Sequence, residues 1–163
     1  MTIYQLPYFG EVSLLEQDYY EIEADINQAD TQIILDIANI NPTKEEVSEI
    51  QLFLKSLPCL DTKIREAFLD EYISEKPSFV KDYIRIQIRD NKEVLEEELG
   101  LNVNSSDIGK DFCSKMELQS IFICPESTAF AIFEYTIGQM ITEDVFTVGV
   151  DKQGNIMDFS VES

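Results

Sequence analysis

Carboxylates are the only reactive side chains that this sequence holds in quantity. Its 163 residues include 32 Asp and Glu, 12 Lys and Arg, and no histidine. Two carboxylates can act as general acid and base, as in glycosidases, but here the acids are spread along the chain and no pair stands out. The lack of histidine removes Ser-His and Cys-His nucleophile systems and the commonest general base. We therefore predict a protein that is not an enzyme.

The same oxygen atoms could bind calcium, yet no stretch has the spacing of a calcium loop. Residues 25–36, DINQADTQIILD, lack the glycine and the final glutamate of an EF-hand, and DKQGN lacks alternating acids. The six glycines are isolated, so neither a GxGxxG fingerprint nor a P-loop is present. The sequence predicts no metal, no cofactor and no nucleotide.

Three cysteines, Cys59, Cys113 and Cys124, show no CxxC spacing, and an odd number cannot all pair within one chain. This pattern indicates a reducing compartment. Cys113 and Cys124 stand in apolar contexts, where a cysteine is usually a small buried hydrophobe, whereas Cys59 is expected to be exposed.

The N-terminal residues do not have the pattern of a signal peptide, because they contain no apolar run of the required length and the first acid already occurs at Glu11. No stretch of the sequence approaches the ~20 apolar residues of a membrane helix. We expect a soluble, cytoplasmic protein.

The net charge of −20 restricts the partners that the protein can have. It repels phosphate backbones and anionic membranes, so nucleic-acid and membrane binding are not expected. A basic protein is the partner that this charge favours. We predict that two acidic stretches contact it: Glu16, Asp18, Tyr19, Tyr20, Glu21, Glu23 and Asp25, and Glu93, Glu96, Glu97 and Glu98. The alternative is that the tyrosines are sheet residues and that the acids only form solvated faces.

The elements that position these residues begin with strands. In DYYEIEADI, apolar and acidic residues alternate with the two-residue period of a half-buried strand. A turn at NQAD, residues 27–30, leads into TQIILDIA, which predicts an N-terminal β-hairpin. A shorter strand is predicted before it, around YFGEV.

Central helices follow. Thr43 and Glu46 have capping-box spacing, and an apolar stripe runs along NPTKEEVSEIQLFLKSLP, where we expect Pro58 to end the first helix. DTKIREAFLDEYIS predicts a second helix, and Pro77 separates it from a third segment. Residues 79–90 fit either a strand or a helix, because isoleucines recur at both spacings, and we interpret them as helix. The run NKEVLEEELG continues as a helix that Gly100 terminates. A short helix is predicted around SSDIGKDFCSK.

Four further runs have strand character: ELQSIFIC, AFAIFEYTI, DVFTVGV and NIMDFSVE. The DKQG connection, Asp151 to Gly154, suits a tight turn with glycine at positive φ. Strands, then helices, then strands without βαβ alternation indicate one α+β domain over residues 1–163, with a C-terminal antiparallel β-meander and the helices packed on one face of the sheet.

Four stretches carry a resemblance to known proteins: YFGEVSLLEQDYYEIE, KIREAFLDEY, AIFEYTIGQMITEDVFTVGVD and DKQGNIMDFSVES. Through them the chain resembles a family of small acidic bacterial proteins catalogued as a domain of unknown function. The resemblance implies an α+β domain. Families of this kind are similar to immunity proteins, which neutralise a toxin domain of a neighbouring bacterium.

Charge, composition and resemblance together predict a non-catalytic protein that binds and neutralises a basic partner, such as a nuclease toxin or effector, by covering it. One alternative is a structural or oligomeric interaction protein whose acidity only ensures solubility. Another is a carboxylate-based enzyme or divalent-cation binder. The sequence leaves open the oligomeric state and the identity of the partner.

Overall fold

A computed structural model describes residues 2–38 and 40–163. These residues form eight strands and four helices, in the order β1 Tyr4–Leu6, β2 Gly10–Val12, β3 Tyr19–Ile26, β4 Ala29–Asp36, α1 Lys44–Lys55, α2 Leu57–Ile73, α3 Phe79–Leu99, α4 Ile108–Lys115, β5 Glu117–Ile123, β6 Ala131–Thr136, β7 Val145–Val150 and β8 Ile156–Glu162. This is the predicted α+β architecture. Across the described residues, no helix combines the length and the apolar character needed to cross a membrane.

Six strands form one sheet in the order β3-β4-β5-β6-β7-β8. The predicted N-terminal hairpin, β3–β4, and the predicted meander, β5 to β8, are both present and antiparallel within themselves. Where the two units meet, β4 pairs with β5 in parallel, because the four helices intervene between them along the chain. The shorter predicted strand is β2, which pairs with β1 in a separate two-stranded hairpin.

The β3–β4 turn is shorter than the predicted NQAD. Only Asn27 and Gln28 lie outside the strands, and both have positive φ, 50° and 73°. Two positive φ values define the type I′ turn, whose twist matches that of a hairpin. Asn27 Nδ2 also donates to the carbonyl oxygen of Pro58 at 2.9 Å, which fixes the turn to the start of α2.

Helix boundaries follow the predicted signals, with one correction. Thr43 caps α1 by accepting a hydrogen bond from the backbone N–H of Glu46 at 3.2 Å. The prediction that Pro58 ends this helix is wrong, because α1 ends at Lys55 and Pro58 lies in the first turn of α2. Proline is well tolerated there, since the first N–H groups of a helix have no intrahelical acceptor.

The ambiguous segment 79–90 is helical and continues into the acidic run as α3. In a strand, Ile84 and Ile86 would lie on the same face. In this helix they lie on opposite sides, and Ile84 is buried while Ile86 is exposed. Asn91 has non-helical angles and marks a kink between the two halves. Gly100 ends the helix in the left-handed region with φ 65°, as predicted.

All four helices pack on one face of the sheet. Phe53 of α1 packs against Phe130 with the two rings tilted, and Phe68 of α2 makes edge-on contacts with Tyr135 and Phe146. Tyr83 of α3 contacts Phe146 as well. The inward side chains of the central strands are therefore almost fully buried, while the other face of the sheet carries side chains that are mostly exposed or half-buried.

Candidate docking face of the sheet

The face of the sheet that points away from the helices is defined by strand register. Side chains alternate between faces along a strand, and paired residues on neighbouring strands share a face. The register therefore places nine carboxylates on this face, which we call the open face: Glu21, Glu23, Asp25, Asp30, Asp36, Glu117, Glu134, Asp158 and Glu162. None of the eight strands contains Lys or Arg.

Two neighbouring rows of side chains cross the open face from edge to edge. One is polar throughout: Glu23, Gln32, Ser120, Glu134, Thr147 and Ser160. The other has an apolar centre between two acids: Glu21, Ile34, Phe122, Ile132, Gly149 and Asp158. Its three large apolar side chains are only half-buried, so the open face presents an apolar strip with carboxylates at both ends.

Hydrogen bonds hold several of these side chains in place. Ser120 Oγ donates to Glu134 Oε2 at 2.6 Å, and Gln32 donates through Nε2 to Glu21 Oε1. Tyr19 Oη donates to the other oxygen of Glu21 at 3.3 Å. Partial desolvation, followed by the negative charges of Glu21 and Asp36, raises the pKa of Tyr19 above its ordinary value.

Among the described residues, no carboxylate of the open face forms an ion pair closer than 4.0 Å. All twelve Lys and Arg lie in the helices, in the α2–α3 connection or in the β7–β8 turn. Within the described ranges, the ion pairs closer than 4.0 Å join Arg65 to Asp61, Arg89 to Asp90 and Lys152 to Glu49, all outside the open face. The open face therefore has an uncompensated negative charge, which costs stability through mutual repulsion.

The structure separates the two predicted acidic stretches. Glu16 and Asp18 are exposed in the loop before β3, and Tyr19, Glu21, Glu23 and Asp25 lie exposed on the open face. Glu93, Glu96, Glu97 and Glu98 are exposed on the second half of α3, a helix that contacts β8. Because β3 and β8 are opposite edges of the sheet, five strand spacings of ~4.8 Å put about 24 Å between β3 and the strand that α3 contacts.

Tyr20 departs from the rest of its stretch. Its ring packs edge-on against Phe9 with centroids 6.5 Å apart, and its hydroxyl donates to the carbonyl oxygen of Ser13 at 2.6 Å. It therefore ties the N-terminal segment to β3 and faces away from the open face. For Tyr20, these contacts support the alternative interpretation that the tyrosines are structural residues of the sheet.

Most of the open face lies outside the predicted stretches. The half-buried Ile34, Phe122 and Ile132 and the acids of β4 to β8 were not predicted as contact residues, although all of them except Asp30, which fell in the predicted turn, lie in predicted strands. What the sequence lacks is the register between strands, which brings these positions into the same rows.

A second feature that sequence reasoning missed is a buried carboxylate. Asp61 is fully buried in α2. It accepts hydrogen bonds from Tyr135 Oη at 2.7 Å, from Arg65 Nε at 3.1 Å and from Asn27 Nδ2 at 2.9 Å. Arg65 also donates to the carbonyl oxygen of Met116 and lies 5.4 Å from the centre of the Tyr135 ring. The only sequence signal is the i, i+4 spacing of Asp61 and Arg65, which is equally typical of an exposed pair.

An open cleft of about 450 Å³ adjoins this cluster, between α2 and α4. Asp61 and Arg65 line it together with Cys113, whose thiol is the candidate nucleophile of the cleft. Burial raises the pKa of Cys113 to about 11. The thiol is thus protonated at neutral pH, and a thiol is a far weaker nucleophile than a thiolate.

The predicted burial of the cysteines is confirmed at two of three positions. Cys59 is exposed and Cys113 is buried, as predicted, whereas Cys124 is only half-buried.

In the described part of the chain, no three acidic or cysteine side chains converge closely enough to hold a metal ion.

Comparisons of the chain with protein families, with curated proteins and with solved structures find no match.

Proposed function

We propose that the protein is a non-catalytic binding protein that neutralises a basic protein by covering it, in the manner of an immunity protein that blocks a bacterial toxin or effector. The observation that carries this proposal is the open face, with nine carboxylates, no cation and an apolar strip at its centre. We place its action in the cytoplasm, where three free cysteines remain reduced.

The arrangement of the open face matches what a protein interface requires. Binding energy concentrates in a small apolar centre from which water is excluded, while charges at the rim steer the encounter. Ile34, Phe122 and Ile132 supply such a centre, and Glu21 and Asp158 stand at its two ends. A cationic partner would also relieve the repulsion among carboxylates that the free protein tolerates.

The size of the open face favours a protein partner over a small ligand. Six strands spaced by ~4.8 Å, each of about seven residues at ~3.3 Å, give a face of roughly 24 Å by 23 Å. Its flat projected area is on the order of 550 Å². The solvent-accessible area is larger, because side chains protrude from the sheet and residues at the rim contribute, and it approaches the ~800 Å² that each partner contributes to a standard interface. The open face does hold a depression of about 400 Å³, but only polar side chains line it, among them Glu21, Glu23 and Gln32, whereas small-molecule pockets are lined mainly by apolar groups.

The experiment is co-expression with the product of the neighbouring gene, followed by purification at low ionic strength, where charge attraction is strongest. Two triple variants carry the same change in net charge. In the first, Glu21, Glu134 and Asp158 of the open face become Lys; in the second, Glu93, Glu96 and Glu97 of α3 become Lys. We expect the first variant to lose both the complex and protection of the host from growth inhibition, and the second to retain both.

Two outcomes would contradict the proposal. One is that the unmodified protein forms no stoichiometric complex even at low salt. The other is that both triple variants bind alike, which would mean that only total charge matters and that the open face has no special role. A self-associating scaffold, the alternative considered above, would form larger particles in the absence of any partner, which size measurement across salt concentrations detects.

A further inference from the structure

Strand β3 is an edge of the six-stranded sheet, and its turn determines which backbone groups are free. In a hairpin with a two-residue type I′ turn, the residues that flank the turn, here Ile26 and Ala29, form a hydrogen-bonded pair, and such pairs then alternate along the strands. Ile22 and Ala24 therefore bond to β4. The N–H and C=O groups of Glu21, Glu23 and Asp25 point away from it.

These outward groups have no other acceptor or donor within residues 2–38 and 40–163. At the start of the strand, the bond from Tyr20 to Ser13 holds the N-terminal segment close, so the free edge extends from Glu21 to Asp25. At the other end, Asn27 anchors the turn to buried Asp61 at 2.9 Å. The free edge is thus held at both ends in an extended conformation, and little ordering would be needed for it to pair.

The side chains of the free edge specify what could pair with it. Glu21, Glu23 and Asp25 are exposed on the open face, while Ile22 and Ala24 are only half-buried on the helix side. A strand added to this edge would place alternate side chains opposite the acids and the others beside the apolar pair. Cationic and apolar residues in alternation satisfy both sides.

The geometry points to β3 as the acceptor of an added strand: the basic partner docks by an extended segment in which Lys or Arg alternates with apolar residues, paired edge to edge with Glu21–Asp25. This inference rests on the proposed function, because it names the element of the basic protein that meets the acidic sheet. Backbone hydrogen bonds would supply affinity and the alternating carboxylates would supply selection, as in other cases of strand addition.

A second copy of the chain is a poor occupant of the same edge. Two β3 strands paired antiparallel would set Glu21 opposite Glu23, or Glu23 opposite its own copy, and like charges directly opposite each other are destabilising. Charged edges are a common means of preventing self-pairing. The same carboxylates that exclude a copy would attract a cationic strand.

The test uses a blocked synthetic peptide of about eight residues in which Lys alternates with Val, with a second peptide of equal composition whose lysines are contiguous. Glu23→Pro and Glu23→Thr lose the same charge, but only Pro also loses the N–H that points to the free edge, and proline is tolerated on edge strands at such positions. We expect the alternating peptide to bind Glu23→Pro at least about tenfold more weakly than Glu23→Thr, and to bind the original protein more tightly than the contiguous peptide does.

Amide hydrogen exchange on the original protein gives a readout that needs no variant. Binding should slow exchange at the amides of Glu21, Glu23 and Asp25, whereas those of Ile22 and Ala24 are already protected by β4. The inference is overturned if the alternating peptide does not bind, if Glu23→Pro and Glu23→Thr bind it equally, or if exchange at the three edge amides stays unchanged. The neighbouring gene product decides the proposed function separately, since it could bind the open face without adding a strand.

Discussion

Replacing Asp61 by Asn should destabilise the protein far more than the same replacement at an exposed ion pair. Asp61 is fully buried, and its two oxygens accept hydrogen bonds from Tyr135, Arg65 and Asn27. The Asn side chain has the same shape but loses the negative charge, and its amide group turns a donor toward at least one of these three donors.

The magnitude follows from the burial of the carboxylate. Removing one member of a buried, hydrogen-bonded ion pair typically costs about 3–5 kcal/mol, because the remaining groups lose their compensation. The Arg65 side chain is 29% exposed, so water recovers part of this loss and we expect about 3 kcal/mol for Asp61→Asn. Tyr135→Phe removes only one hydrogen bond to a charged group, and about 1.5–3 kcal/mol is expected.

Urea denaturation at neutral pH measures both variants and the double variant Asp61→Asn/Tyr135→Phe. The double variant should lose less than the sum of the single losses, since both remove the same hydrogen bond. Asp90→Asn, at the exposed pair with Arg89, is the matched control and should leave the free energy of unfolding unchanged within error. A loss below about 1 kcal/mol for Asp61→Asn, or strict additivity with Tyr135→Phe, would refute this account of the cluster.

Three further predictions concern stability. Because burial raises the pKa of Cys113 from 9.0 to about 11, the unfolded chain releases this proton first as the pH rises. Cys113 should therefore lower the free energy of unfolding by up to about 2–3 kcal/mol between pH 9 and about 11, in addition to the fall that the raised pKa values of buried Tyr83 and Tyr135 produce, and Cys113→Ala should remove only its own part in urea titrations at each pH. Gly100→Ala forces alanine to adopt φ 65° and should cost about 1 kcal/mol, whereas Gly100→Asn should cost less in the same assay. Thr43→Ala removes the α1 cap and should lower the free energy of unfolding by about 1 kcal/mol, with Thr43→Ser close to the original; equal losses for Ala and Ser would contradict the capping role.

Local patterns in the sequence predict most elements of this fold, because the interactions that define them are short in range. The capping of α1 by Thr43 and the termination of α3 by Gly100 depend on neighbours within one helical turn. The alternation in β3 likewise reports burial on one face and exposure on the other. The isoleucines of segment 79–90 fit both periods, and only packing against the sheet decides that Ile84 is buried and Ile86 exposed.

What local patterns do not contain is pairing between distant segments. The parallel β4–β5 pair joins residues far apart in the chain, and it is this register that aligns Ile34 with Phe122. The same limit applies to Asp61, since an aspartate in an amphipathic helix usually faces water. Its burial depends on Tyr135, which lies 74 positions further along the chain.

The parallel junction also sets the order in which the molecule can be completed during synthesis. Strand β4 ends at Asp36 and its partner begins at Glu117, so about 80 residues must be translated before the centre of the sheet can close. At about 5–20 residues per second, this amounts to roughly 4–16 s. Throughout that interval the β3–β4 hairpin has two unpaired edges, and its repelling carboxylates would keep hairpins of nascent chains on neighbouring ribosomes from joining one another before their own partner strand emerges.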